Sequence, residues 1–155
     1  MFQIEVKRWL VNYRFPPSDG WKVTVDIDSM ELANGGTHTE GKADKAREAK
    51  VALVELGAKI GKHHKFGRAD VVAEHHEHGL WLVEVEGQSA RQKEQAMYSA
   101  LGQLVLQMKG DQFHAAVAVP SEPSWEKQVA KVPPHARHLL GLTFILVSAG
   151  GCSDA

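Results

Sequence analysis

The 155-residue sequence has few of the features that mark secreted, membrane-spanning or disulfide-bonded proteins. Its one cysteine, Cys152, lies in a Gly/Ser-rich stretch, which excludes a disulfide scaffold and a cysteine-based zinc site. The longest apolar runs, 115–119 and 144–147, are far shorter than the roughly 20 residues of a membrane span. Residues 1–10 alternate charged and apolar side chains and lack the apolar core of a signal peptide. We therefore expect a soluble protein of the reducing cytoplasm without a membrane partner.

An excess of charge of one sign is also missing. The 18 Lys and Arg residues nearly balance the 19 Asp and Glu residues, for a net charge of -1. This balance does not indicate a nucleic-acid-binding protein, but it does not exclude one, because the distribution of charge matters more than its sum. The chain also lacks a phosphate-binding glycine loop, since 34–36 is not followed by Lys-Ser/Thr, and it has no motif of a serine nucleophile.

The length and the hydrophobic periodicity predict a single α/β domain, 1–155, with a mixed sheet flanked by helices. Apolar alternation on both sides of a Pro-Pro-Ser-Asp-Gly turn predicts an N-terminal β-hairpin within 1–30. Gly102 falls inside a predicted helix, and we interpret it as a point of close approach to the sheet. The further predicted elements are helices from Thr37 to about Gly57, from Ser89 to Met108 and over 124–131, strands over 67–74, 80–86, 113–119 and 143–147, and a tail over 149–155.

Three carboxylates are expected to share one face of the hairpin 67–86. If Glu74 pairs with Leu80 across the turn 75–79, Asp70 lies opposite Glu84, with Cβ atoms roughly 5 Å apart. Glu86 shares the face of Glu84, because strand side chains alternate with a period of two, and it would lie opposite Arg68. Like charges in direct opposition destabilise a sheet, so a cation between them is one explanation of the pattern. Oxygen ligands at this density suit Mg²⁺ or Mn²⁺. The alternative is a solvated surface whose acids are offset by nearby basic residues.

The residues around this hairpin carry a family resemblance. The runs Phe-Gly-Arg-Ala-Asp-Val-Val (66–72) and Leu-Val-Glu-Val-Glu (82–86), followed by a helix with Tyr-Ser-Ala-Leu-Gly-Gln-Leu (98–104), resemble the PD-(D/E)xK nuclease superfamily. The upstream helix with Arg-Glu-Ala (47–49) is similar to the first helix of its Holliday-junction-resolvase-like members. The resemblance implies a restriction-endonuclease-like αβββαβ core over 37–120, preceded by the N-terminal hairpin and closed by 121–148. It also implies a metal-dependent nuclease of DNA repair, recombination or restriction.

The resemblance also implies roles for particular residues. Asp70 and Glu84 would be metal ligands for Mg²⁺ or Mn²⁺, together with the backbone carbonyl of Val85. Glu48 would match the first-helix glutamate that some members use. Glu86 stands where most members carry the lysine that orients or deprotonates the attacking water.

The departure at Glu86 leaves two explanations open. Lys93 or Arg91 could supply the missing positive charge from the following helix, or Glu86 could bind a second metal or act as a general base. The same departure supports an alternative function, a catalytically inactive nucleic-acid-binding or interaction module with the same fold.

The predicted partner is DNA. Lysine and arginine side chains contact phosphates with little need for sequence information, so a basic surface is expected beside the carboxylates. Cleavage of both strands would call for a homodimer. The histidines of the turn, His75, His76 and His78, are a candidate zinc or nickel site, but an exposed polar turn is the simpler interpretation. The candidate DNA-binding residues are Lys62, Lys65, Arg68, Arg91 and Gln95.

Overall fold

The computed structural model describes residues 1–32 and 41–155, and these form one mixed sheet with helices on both faces. None of the helices in these two stretches is both long and apolar enough to cross a bilayer. The helices are α1 Gln3–Tyr13, α2 Ser29–Leu32, α3 Lys42–Leu56, α4 Lys93–Leu106, α5 Pro123–Ala130 and α6 Pro134–Leu140. The strands are β1 Lys22–Val25, β2 Lys59–Ile60, β3 Val71–His75, β4 Gly79–Val85, β5 His114–Pro120, β6 Leu142–Ser148 and β7 Gly151–Asp154.

The strands lie in the order β2-β1-β3-β4-β5-β6-β7. The pairs β1–β3 and β3–β4 are antiparallel, whereas β4–β5 and β5–β6 are parallel and are joined through helices. The predicted mixed α/β architecture is thereby confirmed. The connections follow the usual rule that parallel neighbours need a crossover whereas antiparallel neighbours need only a turn.

Two layers of apolar side chains lie on opposite faces of the sheet because strand residues alternate between them. Val71, Val83 and Val85 pack with Leu10 of α1 and Leu53 of α3 on one face. The other face is covered by α4 and α5, and its buried side chains include those of Val72, Leu82, Leu104 and Trp125. Both faces of the sheet are thus covered by helices, whereas the turn that joins β3 to β4, 76–79, is exposed to solvent.

The predicted β3–β4 register is confirmed. Glu74 pairs with Leu80, and Val71 pairs with Val83. Asp70 and Glu84 are the next residues along the two strands and lie where that register would place them opposite each other. The first strand is shorter than predicted, however, because residues 67–70 form a turn and a bend before β3 begins.

The predicted N-terminal hairpin is wrong in its first half. Residues 22–25 are a strand, but 3–13 are helix α1 and not the partner strand. The alternation of Phe2, Ile4 and Val6 also suits a helix, because Leu10 and Val11 continue the apolar stripe at helical spacing. Glu5 strengthens the helix start by accepting a hydrogen bond from the backbone N–H of Phe2 at 2.7 Å.

Other boundaries also differ from the predictions. The helix predicted from Thr37 begins at Lys42, and Thr37 itself lies outside the described residues; the helix ends at Gly57 as expected, where a φ of 99° suits glycine. The helix predicted from Ser89 begins at Lys93. Helix α6 and the short strands β2 and β7 were not predicted, and β7 replaces the predicted tail over 149–155.

Candidate active site

Asp70 and Glu84 come together at the end of the β3–β4 hairpin that lies away from its turn. The backbone carbonyl of Asp70 accepts a hydrogen bond from the N–H of Asp26, which follows β1, at 2.9 Å. Its carboxylate Oδ2 accepts the N–H of Val85 at 2.8 Å. The backbone carbonyl of Asp70 is thus hydrogen-bonded to the segment after β1, and its carboxylate is hydrogen-bonded to the end of β4.

Glu84 is a buried carboxyl group, with 5% of its surface exposed. Burial raises its pKa to about 10, and the charge of Asp70 and a hydrogen bond to it act in the same direction. Gln107, from the end of α4, donates a hydrogen bond to Glu84 Oε1 at 3.1 Å, which opposes the rise only in part. The Oε1 atom of Gln107 is buried without a partner, so the polar groups of this corner are not mutually satisfied.

Glu86 is the third acid of the predicted cluster and is half-buried. Burial raises its pKa to about 7, with the charge of Asp70 as the next cause, whereas Arg91 and Lys7 lower it. Asp70 thus acts on both Glu84 and Glu86. Arg68 lies in the turn before β3, so its predicted pairing with Glu86 across the strands is wrong.

A buried ion pair that the sequence analysis missed lies beside these acids. Lys7 of α1 is 1% exposed, and its Nζ donates to the carboxylate of Glu31 at 2.8 and 3.0 Å. The same Nζ is 3.9 Å from Asp70 Oδ1. The sequence signal for this ion pair was a lysine in line with the apolar residues Ile4 and Leu10. That alignment is visible only when 3–13 is interpreted as a helix.

The N-terminal turn of α1 packs directly against the end of β4. The side-chain amide of Gln3 donates a hydrogen bond to the carbonyl of Val85, the same carbonyl that the resemblance implies as a metal ligand. A Cβ atom on Gly87 would lie 2.6 Å from the backbone nitrogen of Gln3 and 2.8 Å from the carbonyl carbon of Phe2. Only glycine therefore permits this approach, which brings α1 to the acids.

Two predicted functional residues lie in other contacts. The Nζ of Lys93 lies 5.6 Å from the centroid of the Trp125 ring and does not pair with the acids. Glu48 is 71% exposed on α3, and its carboxylate forms an ion pair with Arg8 at 3.5 Å rather than joining Asp70. The expectation for Glu48 assumed that α3 covers the strand ends, whereas it is α1 that reaches them.

The candidate DNA-binding residues are exposed, and contacts near the acids are seen for Lys62 and Arg91. Lys62 is 71% exposed and forms an ion pair with Asp26 Oδ2 at 3.1 Å. The backbone N–H of the same Asp26 donates to the carbonyl of Asp70. Arg91 is exposed and acts on Glu86. Lys65 is also exposed but pairs with Asp111 at 2.9 Å, and Gln95 is exposed in the first turn of α4.

The histidine-rich turn is a hydrogen-bonded turn. His75 Nδ1 accepts the backbone N–H groups of Glu77 and His78 at 3.0 and 3.3 Å, and its Nε2 lies 2.9 Å from the carbonyl of Asp19. Both ring nitrogens are therefore engaged. Within 1–32 and 41–155, no group of three or more His, Cys, Asp or Glu side chains is arranged to hold a metal ion.

The acid pair nevertheless offers a donor set that suits a hard cation. Mg²⁺ is often bound through one or two carboxylates while it keeps several of its waters. Asp70 and Glu84 are such a pair, and burial, followed by the charge of Asp70, raises the pKa of Glu84. The residues present therefore fit a divalent cation held by two side chains and water.

Comparison of the chain with protein-family models, with curated proteins and with solved structures gave no match.

Proposed function

We propose that this protein is a Mg²⁺- or Mn²⁺-dependent nuclease that hydrolyses phosphodiester bonds of DNA. The observation that carries the proposal is the Asp70–Glu84 pair, two carboxyl groups held against each other at the enclosed end of a hairpin. A buried like-charge pair is costly unless a proton or a cation resides between its members. A divalent cation would replace the proton of Glu84 and satisfy both groups.

The arrangement of elements supports the same proposal. Taken along the chain, α1, β1, β3, β4, α4 and β5 follow the order αβββαβ, and the four strands are neighbours in the sheet. This is the order that the restriction-endonuclease-like resemblance implies. It uses α1 and β1 as first helix and first strand, whereas the resemblance placed the first helix over the α3 region.

The chemistry follows from what each group can supply. A bound Mg²⁺ or Mn²⁺ supplies positive charge at the phosphate and lowers the pKa of a bound water. Asp70 and Glu84 hold the cation; Gln107 orients Glu84 through its amide, and the N–H of Val85 orients Asp70. Lys62 and Arg91, which are both exposed, would provide phosphate contacts for the strand being cut.

The test is cleavage of linear duplex, single-stranded and four-way-junction DNA in Mg²⁺ or Mn²⁺, with Mn²⁺ binding measured by calorimetry. We expect Asp70→Asn to abolish both cleavage and Mn²⁺ binding. The matched control is Asp44→Asn, which removes an 81% exposed carboxylate on α3 and should leave both unchanged.

Two other outcomes would contradict the proposal in different ways. DNA binding without Mn²⁺ binding or cleavage would favour the inactive module, for which Glu86 at the usual lysine position is the supporting observation. Neither DNA binding nor Mn²⁺ binding would exclude both functions and leave the acids as a structural proton-sharing pair.

A further inference from the structure

Lys7 is an ammonium group buried beside the acids. It is among the largest side chains of the described residues that are fully buried, with 1% of its surface exposed. All three of its protons have acceptors: both oxygens of Glu31, at 2.8 and 3.0 Å, and the carbonyl of Asp26 at 2.6 Å. The group is thus fixed at one point rather than free to sample several, as surface lysines do.

Glu31 is itself held in place from both sides. Its Oε2 accepts the backbone N–H of Asp28 at 2.9 Å, and its own backbone N–H donates to Asp28 Oδ1 at 2.9 Å. Burial raises the pKa of Glu31, and Lys7 lowers it. The carboxylate therefore fixes the position of Lys7, and Glu31 is itself fixed by its two hydrogen bonds with Asp28. Burying this carboxylate costs desolvation free energy.

Stability alone does not account for this ion pair. The neighbours of Lys7 on the buried stripe of α1 are apolar, Ile4, Leu10 and Val11. Replacing a buried ion pair by apolar side chains of similar volume is often neutral or stabilising. What the pair does provide is one fixed positive charge, 3.9 Å from Asp70 Oδ1 and close enough to act on Glu86.

We propose that Lys7 supplies the ammonium group of the hydrolytic site and that Glu31 is its positioning residue, a role that rests on the proposed nuclease function. Glu86 occupies the position where a lysine was expected, and Lys93 lies against Trp125. Arg91 is exposed. Lys7 therefore brings charge to the acids from α1, a different element of the fold.

The reaction places a specific demand on such a group. The oxygen of water forms a bond to phosphorus, the bond from phosphorus to the leaving nucleoside oxygen breaks, and negative charge gathers on the phosphoryl oxygens. The proton of the attacking water passes to solvent, and the leaving oxygen takes a proton from solvent. Lys7 keeps its three protons on Glu31 and Asp26 throughout, and its fixed positive charge stabilises the negative charge as it develops.

The test compares Lys7→Met with Lys50→Met, an exposed lysine of α3 that serves as the control. We expect Lys7→Met to lower kcat on the order of 100-fold, the effect of losing one preorganised electrostatic group, while KM for DNA changes little. Mn²⁺ binding should be retained or tightened, because a positive charge 3.9 Å from Asp70 has been removed. A merely structural lysine would not combine lower kcat with undiminished Mn²⁺ affinity.

A second variant guards against misfolding. Lys7→Met leaves the buried carboxylate of Glu31 without its cation, so the double variant Lys7→Met/Glu31→Gln removes both charges together. It should fold, bind Mn²⁺ about as the parent does, and show the same loss of kcat. Glu31→Gln alone keeps the ammonium but loosens it, and should lower kcat on the order of 10-fold.

The outcomes separate this inference from the function on which it rests. If the parent cleaves DNA and the folded double variant cleaves it at the parental rate, Lys7 is a structural residue and the inference is wrong. A proportional loss of kcat and Mn²⁺ affinity would also overturn it, since the site would then have been distorted. If the parent neither cleaves DNA nor binds Mn²⁺, the proposed function fails, and the inference fails with it.

Discussion

Both ends of the β3–β4 hairpin carry several titratable groups, but the two ends differ in how far these groups are exposed and hydrogen-bonded. At the turn, each nitrogen of His75 has a hydrogen-bond contact, and the remaining histidines are exposed. At the other end, Glu84 faces Asp70 in a buried corner, and Gln107 keeps an unpartnered oxygen. Density of ionisable residues is thus a poor guide to a site. A better guide is a buried ionisable group whose charge or hydrogen-bonding atoms are only partly compensated, because groups with perturbed pKa values concentrate at functional sites.

The largest expected effect is a pH dependence of stability that arises at the acid end. The pKa of Glu84 is about 10 in the folded protein against an ordinary value of 4.5, so the folded state holds the extra proton between these limits. Stability of the metal-free protein should therefore fall as pH rises through this window, by up to about 1.4 kcal/mol per pH unit. Glu84→Gln cannot ionise and should be more stable than the parent at pH 8 by on the order of 2–4 kcal/mol.

Urea unfolding at several pH values, with the metal chelated, measures this effect. The control is Glu77→Gln at the histidine turn, which is 69% exposed and should leave the pH dependence unchanged. A parental stability that is flat from pH 5 to 9 would show that burial and the charge of Asp70 do not raise the pKa of Glu84.

The next effect concerns the glycines that allow the two ends to form. Gly87→Ala places a Cβ within 3 Å of the backbone of Phe2 and Gln3, and we expect a loss of about 1–3 kcal/mol because neither segment is a flexible side chain. Nuclease activity should fall as well, since α1 carries Gln3 and Lys7. Thermal unfolding and the cleavage assay measure the two losses.

Gly20→Ala is the matched change at the histidine end. Gly20 has a φ of 93°, and its added Cβ would lie 3.0 Å from the Nε2 of His75. A left-handed conformation costs a non-glycine residue about 1–2 kcal/mol, so stability should fall without a specific loss of kcat. Equal losses of activity in the two variants would mean that the acid end has no special role.

The contrast also explains how far the sequence could predict the molecule. The register that sets Asp70 against Glu84 was predictable, because the turn 75–79 and strict alternation leave few choices for a hairpin. Lys7 was not predicted, because Phe2, Ile4 and Val6 alternate as a strand would, whereas 3–13 is a helix that packs mainly against α3. Glu31 and Gln107 could not be foreseen, since each reaches the acids from a distant part of the chain.

A smaller effect is expected at the histidine turn. His75→Ala removes an acceptor for two backbone N–H groups and a contact with Asp19, but these groups can turn to water. We expect a loss of about 1 kcal/mol in the free energy of unfolding. His76→Ala changes an exposed side chain and should stay within about 0.5 kcal/mol. A rise in the unfolding midpoint with Zn²⁺ that His75→Ala abolishes would contradict the interpretation of this turn as purely structural.

The smallest effect comes from a glycine that neither end of the hairpin needs. The prediction of a close approach at Gly102 is wrong, because an added Cβ there meets no atom within 4 Å. Gly102 is exposed inside α4, where alanine is favoured over glycine by about 0.5–1 kcal/mol. Gly102→Ala should therefore stabilise the protein by that amount and leave cleavage unchanged, as measured by urea unfolding and initial rates. A loss of activity would show instead that α4 must flex where it carries Gln107 to Glu84, and that the acid end depends on more than the contacts of a rigid helix.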